Sequence, residues 1–227
     1  MMIKDNLQTI GQRIRAAEQD YQRPLGSVQL LAVSKKHPVS AIRTAWQCGQ
    51  QAFGENYAQE MLDKAMELQD LAIDWHFIGP IQSNKTRLIA ATAHWVHSVE
   101  RLKIAERLSE QKPDERPAIN ICLQVNISRE ASKSGVHPDE LPELAREVTK
   151  LPGLNLRGLM AIPAPEQDFA RQRAAFAELR ELQEHLQQQG LQLDTLSMGM
   201  TDDMEAAIAE GATWVRIGTA IFGAREY

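Results

Sequence analysis

Cysteine is scarce in this chain. Cys48 and Cys122 are its two, both in apolar contexts and without C-x-x-C spacing, so neither a disulfide framework nor a metal site is indicated. They read as buried, reduced thiols, which points to the cytoplasm. No apolar run is long enough to span a bilayer, and residues 1–20 are polar and charged, unlike a secretory leader. Basic charge is not in excess either: a formal net charge of −5 and a pI near 5.7 leave no electrostatic footprint for nucleic acid. Low-complexity segments, linkers and breaks in composition are also missing, so residues 1–227 read as a single domain. What is present is ordinary for a soluble globular chain: 43% hydrophobic and 24% charged residues, enough to bury a substantial core.

The apolar spacing is alternately helical and extended. Ile3, Leu7, Ile10, Ile14 and Ala17 mark an amphipathic helix over 3–20, ahead of any strand. Strands are expected at about 28–35, 52–57, 73–80, 94–99, 119–127, 156–162, 193–198 and 214–217. Helices fall between them, at 40–47, 59–69, 83–93, 101–111, 138–151, 168–189 and 202–210. Asp202 and Glu205 stand in capping-box spacing for the last of these. Eight strands alternating with helices in 227 residues imply a single (β/α)8 TIM barrel with an extra N-terminal helix. No G-x-G-x-x-G follows the first strand, which weighs against an open dinucleotide-binding sheet.

In such a barrel the chemistry sits at the carboxyl ends of the strands. Those ends carry Lys35, Glu55 and Asn56, His76 to Gly79, Asn126, Met160, Gly199-Met200-Thr201 and Arg216-Ile217-Gly218-Thr219. No pair or trio of histidines for zinc, and no facing carboxylates for glycoside chemistry, is apparent. Lys35 closes the run Leu30-Leu31-Ala32-Val33-Ser34, and alternation turns it to the side of Leu31 and Val33. A lysine there either snorkels to the rim or meets a partner or ligand. Thr201, Gly218 and Thr219 follow strands seven and eight, where barrels often bind phosphate, although Thr201 alone reads equally as a helix cap and Gly218 as a turn. A strand-end lysine with a phosphate cup suggests pyridoxal phosphate, the amine forming a Schiff base with the aldehyde. Arg216 would then meet the pyridine nitrogen, or else form a structural salt bridge. A guanidinium there disfavours protonating the ring and weakens it as an electron sink.

The stretches LLAVSK (30–35), FGENY (53–57), WHFIGPIQSNK (75–85), SKSG (132–135), RGLMAI (157–162), MGMTDDMEAAI (198–208) and VRIGTAIFGAR (215–225) together resemble the pyridoxal phosphate homeostasis family. That family resembles in turn the barrel half of fold-type III alanine racemases without their second β domain. The resemblance implies that Lys35 bears the cofactor as an internal aldimine and that Arg216 contacts the pyridine nitrogen. Thr201, Gly218 and Thr219 would hold the phosphate, with a Met200 amide beside them. Asn56 would lie by the ring substituents, and His76 and Met160 would line the pocket. One departure is plain: Lys35-Lys36-His37 stands where many members read Lys-Thr-Lys, so no role for a second lysine at position 37 carries over.

The racemase mechanism needs a second acid–base group opposite the lysine, which in the relative comes from a tyrosine of the β domain. With that domain not expected here and Arg216 weakening the electron sink, the expectation is a non-catalytic carrier. It would buffer pyridoxal phosphate and deliver it to apo forms of dependent enzymes, as a monomer, with no membrane or nucleic-acid partner. The rival is a fold-type III amino-acid racemase drawing its base from His37, Tyr57 or Lys133. Lys133 is also a candidate receiver of the aldehyde during transfer.

Overall fold

The computed structural model describes residues 2–130 and 133–224; Ser132 and Arg225 of the quoted motifs lie outside them. Eight parallel strands close in sequence order, β1 (Gln29–Val33) pairing both β2 (Ala52–Glu55) and β8 (Trp214–Ile217). Between them run β3 (Asp74–Phe77), β4 (Trp95–Val99), β5 (Ile119–Gln124), β6 (Leu154–Met160) and β7 (Thr195–Ser197). The expected (β/α)8 barrel is the observed fold. Among the described residues no helix is long and apolar enough to cross a membrane.

The preceding helix, α1 (Met2–Asp20), buries Ile10, Ile14 and Ala17, the stripe its spacing predicts. Its Glu18 is fully buried and accepts from the amides of Gly26 and Val28, which pins the chain as it enters β1. Around the barrel follow α2 (Val39–Gln47), α3 (Ala58–Glu67), α4 (Thr86–Thr92), α5 (Leu102–Gln111), α6 (Leu141–Val148), α7 (Phe169–Gln188), α8 (Met204–Ala209) and a short α9 (Thr219–Phe222).

Strand alternation divides the interior into two regions. Outward residues such as Ala32, Phe53, Phe77, Val96, Ile121, Leu159 and Val215 pack against the helices in the main apolar core. Inward residues fill the lumen, where Trp95, Cys122 and Met160 form a separate small cluster. Burial raises the Cys122 thiol to about 12, so it stays protonated and inert.

Three local expectations give way. Cys48 is exposed, because it caps α2 at the surface. No capping box forms at α8: its cap residue is Asp203, which accepts from the Met200 amide at 2.5 Å, while Glu205 turns to Arg13 of α1 at 2.8 Å. The first strand stops at Val33, two residues short of Lys35, because the chain turns through a left-handed Lys36 (φ 61°) and the His37 amide bonds back to the Ser34 carbonyl.

Candidate functional site

A cavity of about 280 Å³ opens at the carboxyl ends of the strands. Lys35 enters it from the β1 turn, Asn56 from the end of β2, and Arg216 from β8. Met200, Thr201, Gly218 and Thr219 close the side formed by the loops after β7 and β8. Larger clefts lie elsewhere: about 570 Å³ along α1, about 640 and 350 Å³ at the amino end of the barrel, and about 450 Å³ beside the loops after β4 and β5, where neither Lys35 nor Arg216 reaches.

Lys35 and Asn56 stand on a buried brace. Ser34 and Glu55 point outward between the strand ends and α3, and the Ser34 hydroxyl donates to Glu55 Oε1 at 2.6 Å. Lys64 of α3 donates to the Ser34 carbonyl at 2.8 Å, to Glu55 Oε1 at 2.7 Å and to Glu60 Oε1 at 2.8 Å. Glu60 also accepts from the Lys36 amide at 2.6 Å. One ammonium thus ties the turn that carries Lys35 to the strand end that carries Asn56. Burial pushes the Glu55 carboxyl up to about 7, against the opposing pull of Lys64.

Arg216 is the buried cation of the cavity floor. Its Nη1 donates to Ser197 Oγ at 2.9 Å and its Nη2 to the Ala161 carbonyl at 3.0 Å. Burial lowers the guanidinium to about 10, opposed by Asp203, so it remains charged at neutral pH. Asn56 Oδ1 is buried and makes no hydrogen bond among the described residues, leaving an acceptor in the cavity wall that a ligand's donor could satisfy. Gly218 lets β8 approach β1 closely, since a Cβ there would stand 3.2 Å from the Val33 carbonyl oxygen.

The family model described as the alanine racemase N-terminal domain matches residues 6–226. A pyridoxal phosphate homeostasis protein of Pseudomonas aeruginosa is 61% identical over 225 residues, 99% of this chain and 96% of that one. The chain belongs to that family. Its counterpart in Haemophilus influenzae is 53% identical, covering 100% of this chain and 98% of the relative. Among solved structures, PipY of Synechococcus elongatus PCC7942 with pyridoxal phosphate bound superposes with a TM-score of 0.84 at 39% identity, covering 97% of this chain and 100% of PipY.

Seven of the nine sequence-chosen residues of this family member line the one cavity: Lys35, Asn56, Met200, Thr201, Arg216, Gly218 and Thr219. His76 and Met160 do not. Both are fully buried in the lumen, and the cavity wall is supplied instead by Ile78 and Ile162, each two residues further along the same chain segment. The walls therefore come from residues just beyond the strands, since β3 ends at Phe77 and β6 at Met160. The step that relates Val33 to Lys35 is the signal that would have found them. His37 and Asp202, also unassigned as ligand contacts from sequence, line the cavity too. Of the other candidate bases, Tyr57 is exposed, and Lys133 borders a different depression beside Glu100 and Arg101.

Proposed function

We propose that this chain binds pyridoxal 5′-phosphate in the strand-end cavity and serves its homeostasis, holding and releasing the cofactor without substantial turnover of its own. The observation that carries the proposal is the convergence of Lys35 and Arg216 on one cavity whose far side is made by the loops after β7 and β8. The naming of the relatives and the cofactor in PipY support it.

The residues fit the group. Lys35 supplies the amine that meets the aldehyde, and the brace through Lys64 and Glu55 keeps that amine's turn against Asn56. Asn56 Oδ1 offers an acceptor near the ring substituents. Thr201 and Thr219 offer hydroxyl donors to the phosphate, while Gly218 leaves room for the backbone beside it. When bound, pyridoxal phosphate supplies an electrophilic aldehyde conjugated to an electron-accepting ring. Arg216 would face the ring nitrogen and would disfavour its protonation, because two cations would otherwise be neighbours. That arrangement favours retention over chemistry at a bound amine. Recipients would be apo forms of dependent enzymes, with the chain working as a cytoplasmic monomer.

The test is the absorbance spectrum of purified protein incubated with pyridoxal phosphate, repeated with Lys35→Ala. Wild type is expected to show a visible band distinct from the free aldehyde, and the variant to lack it. A band of equal strength in both proteins would overturn the assignment. Incubation with L-alanine in deuterated buffer tests the absence of turnover: rapid α-proton exchange would favour a racemase.

A further inference from the structure

The lumen of a (β/α)8 barrel is ordinarily filled with branched aliphatic side chains. Here a line of polar side chains runs through it from one end to the other. Asp74, at the amino end of β3, meets His76 Nε2 at 3.0 Å. His76 Nδ1 lies 2.8 Å from His97 Nε2, and His97 Nδ1 lies 2.7 Å from Ser197 Oγ. Ser197 in turn accepts from Arg216 Nη1 at 2.9 Å. His76, His97 and Ser197 are fully buried. Trp95 stacks on His76 with centroids 5.6 Å apart and planes at 6°, and the Trp214 ring lies 4.7 Å from His76, so the line is walled by indole.

The Asp74 end fixes the direction of every bond in the line once both imidazoles are neutral. A guanidinium only donates and a carboxylate only accepts. Asp74 Oδ2 therefore receives an N–H from His76 Nε2, which leaves the Nδ1 of a neutral His76 as an acceptor. His97 must then carry its proton on Nε2, donate to His76 Nδ1 and accept on its own Nδ1. Ser197 Oγ, which accepts from Arg216 on one lone pair, gives its hydrogen to His97 Nδ1. Both imidazoles are neutral in this order, in keeping with burial holding His76 below, and His97 well below, the usual range. The reverse order with both rings neutral is closed at the other end, because it would ask the Asp74 carboxylate to donate.

We propose that Asp74 is a distal positioning residue for the cofactor site: through His76, His97 and Ser197 it orders the hydrogen bonds that aim Arg216 into the cavity at the other end of the barrel. The proposal rests on the cofactor assignment made above. Asp74 is well placed for a test, because its carboxylate borders the cleft at the amino end of the barrel and does not line the cofactor cavity.

The experiment uses the full chain with ¹⁵N-labelled histidine, with and without pyridoxal phosphate, in wild type, Asp74→Ala, Asp74→Asn and Lys35→Ala. Long-range proton–nitrogen spectra report which nitrogen of each ring is protonated. Wild type is expected to show His76 and His97 protonated on Nε2 alone. Asp74→Ala removes the terminal acceptor and is expected to mix the tautomers of His97, two bonds along the relay from the substitution, and to weaken cofactor affinity about fivefold. Asp74→Asn keeps a carbonyl oxygen for His76 and is expected to restore both the tautomer and the affinity to within about twofold. A merely structural role for Asp74 would leave the His97 tautomer unmoved. Should Asp74→Ala fail to fold, Ser197→Ala breaks the same line at the other end and is expected to release His97 Nδ1 and weaken the cofactor. His97 protonated on Nδ1 in wild type, a His97 tautomer indifferent to Asp74→Ala, or unchanged affinity in the variants would overturn the relay. Lys35→Ala separates the two assignments: it is expected to abolish the covalent spectrum while leaving the tautomer order intact. If wild type takes up no cofactor, the cavity assignment falls while the tautomer order remains readable.

Discussion

Replacing Glu55 by glutamine isolates the electrostatics of the brace under Lys35. The glutamine keeps an oxygen for the Ser34 hydroxyl and for Lys64, but it cannot ionise. In the folded chain burial raises the Glu55 carboxyl from 4.5 to about 7. A carboxyl raised on folding is harmless below its unfolded value and opposes folding once the solution is alkaline enough to ionise it. Wild-type stability therefore carries a contribution that is fully present below 4.5 and is lost as pH rises through about 7. The 2.5-unit gap between those values corresponds to about 3 kcal/mol at saturation. Between about pH 5.5 and about pH 8 the share lost is about 2 kcal/mol. For a domain of this size that is about 4–8 °C in Tm. Thermal melts of wild type and Glu55→Gln at these two pH values give the result as a difference of differences, which cancels other titrating groups. The wild type is expected to lose that much relative to the variant on going to the higher pH. Parallel pH dependence in the two proteins would refute the reasoning.

Four further outcomes follow from contacts at the site and in the helices. Arg216→Met removes a charge and two hydrogen bonds, to Ser197 and the Ala161 carbonyl, and is expected to weaken pyridoxal phosphate binding at least about tenfold by fluorescence titration. Gly79→Ala would place a Cβ 2.1 Å from the Asn56 carbonyl oxygen, forcing the backbone of the cavity wall to move, and is expected to cost about 3 kcal/mol in urea unfolding. Gly11→Ala is the contrasting control: it lies within α1 with nothing within 4 Å of the new Cβ, and is expected to stabilise by about 0.5–1 kcal/mol. Lys64→Met leaves Glu55 without its cation, so its carboxyl should rise further, and cofactor retention on dialysis should fall as the Lys35 turn loosens.

The barrel was legible because parallel strands buried on both faces read as short aliphatic runs, and eight of them separated by helical spacing leave little choice of architecture. Lys35 and Arg216 were legible for a related reason: a charged residue at the end of such a run has to be accounted for. Depth along the barrel axis was harder. Alternation tells that His76 and Met160 point inward, but not that the cavity begins one inward position later, at Ile78 and Ile162. The lumen line from Asp74 to Arg216 joins four strands and spans many residues in sequence, so no local pattern announces it. Spacing also misled at Asp202 and Glu205, where tertiary partners, Arg13 above all, outcompete the local cap.

The central claim concerns one amine. Protein incubated with pyridoxal phosphate, reduced with borohydride, digested and weighed peptide by peptide should carry a pyridoxyl mass on Lys35. The same mass on other lysines with Lys35 unmodified, or on none, would contradict the account.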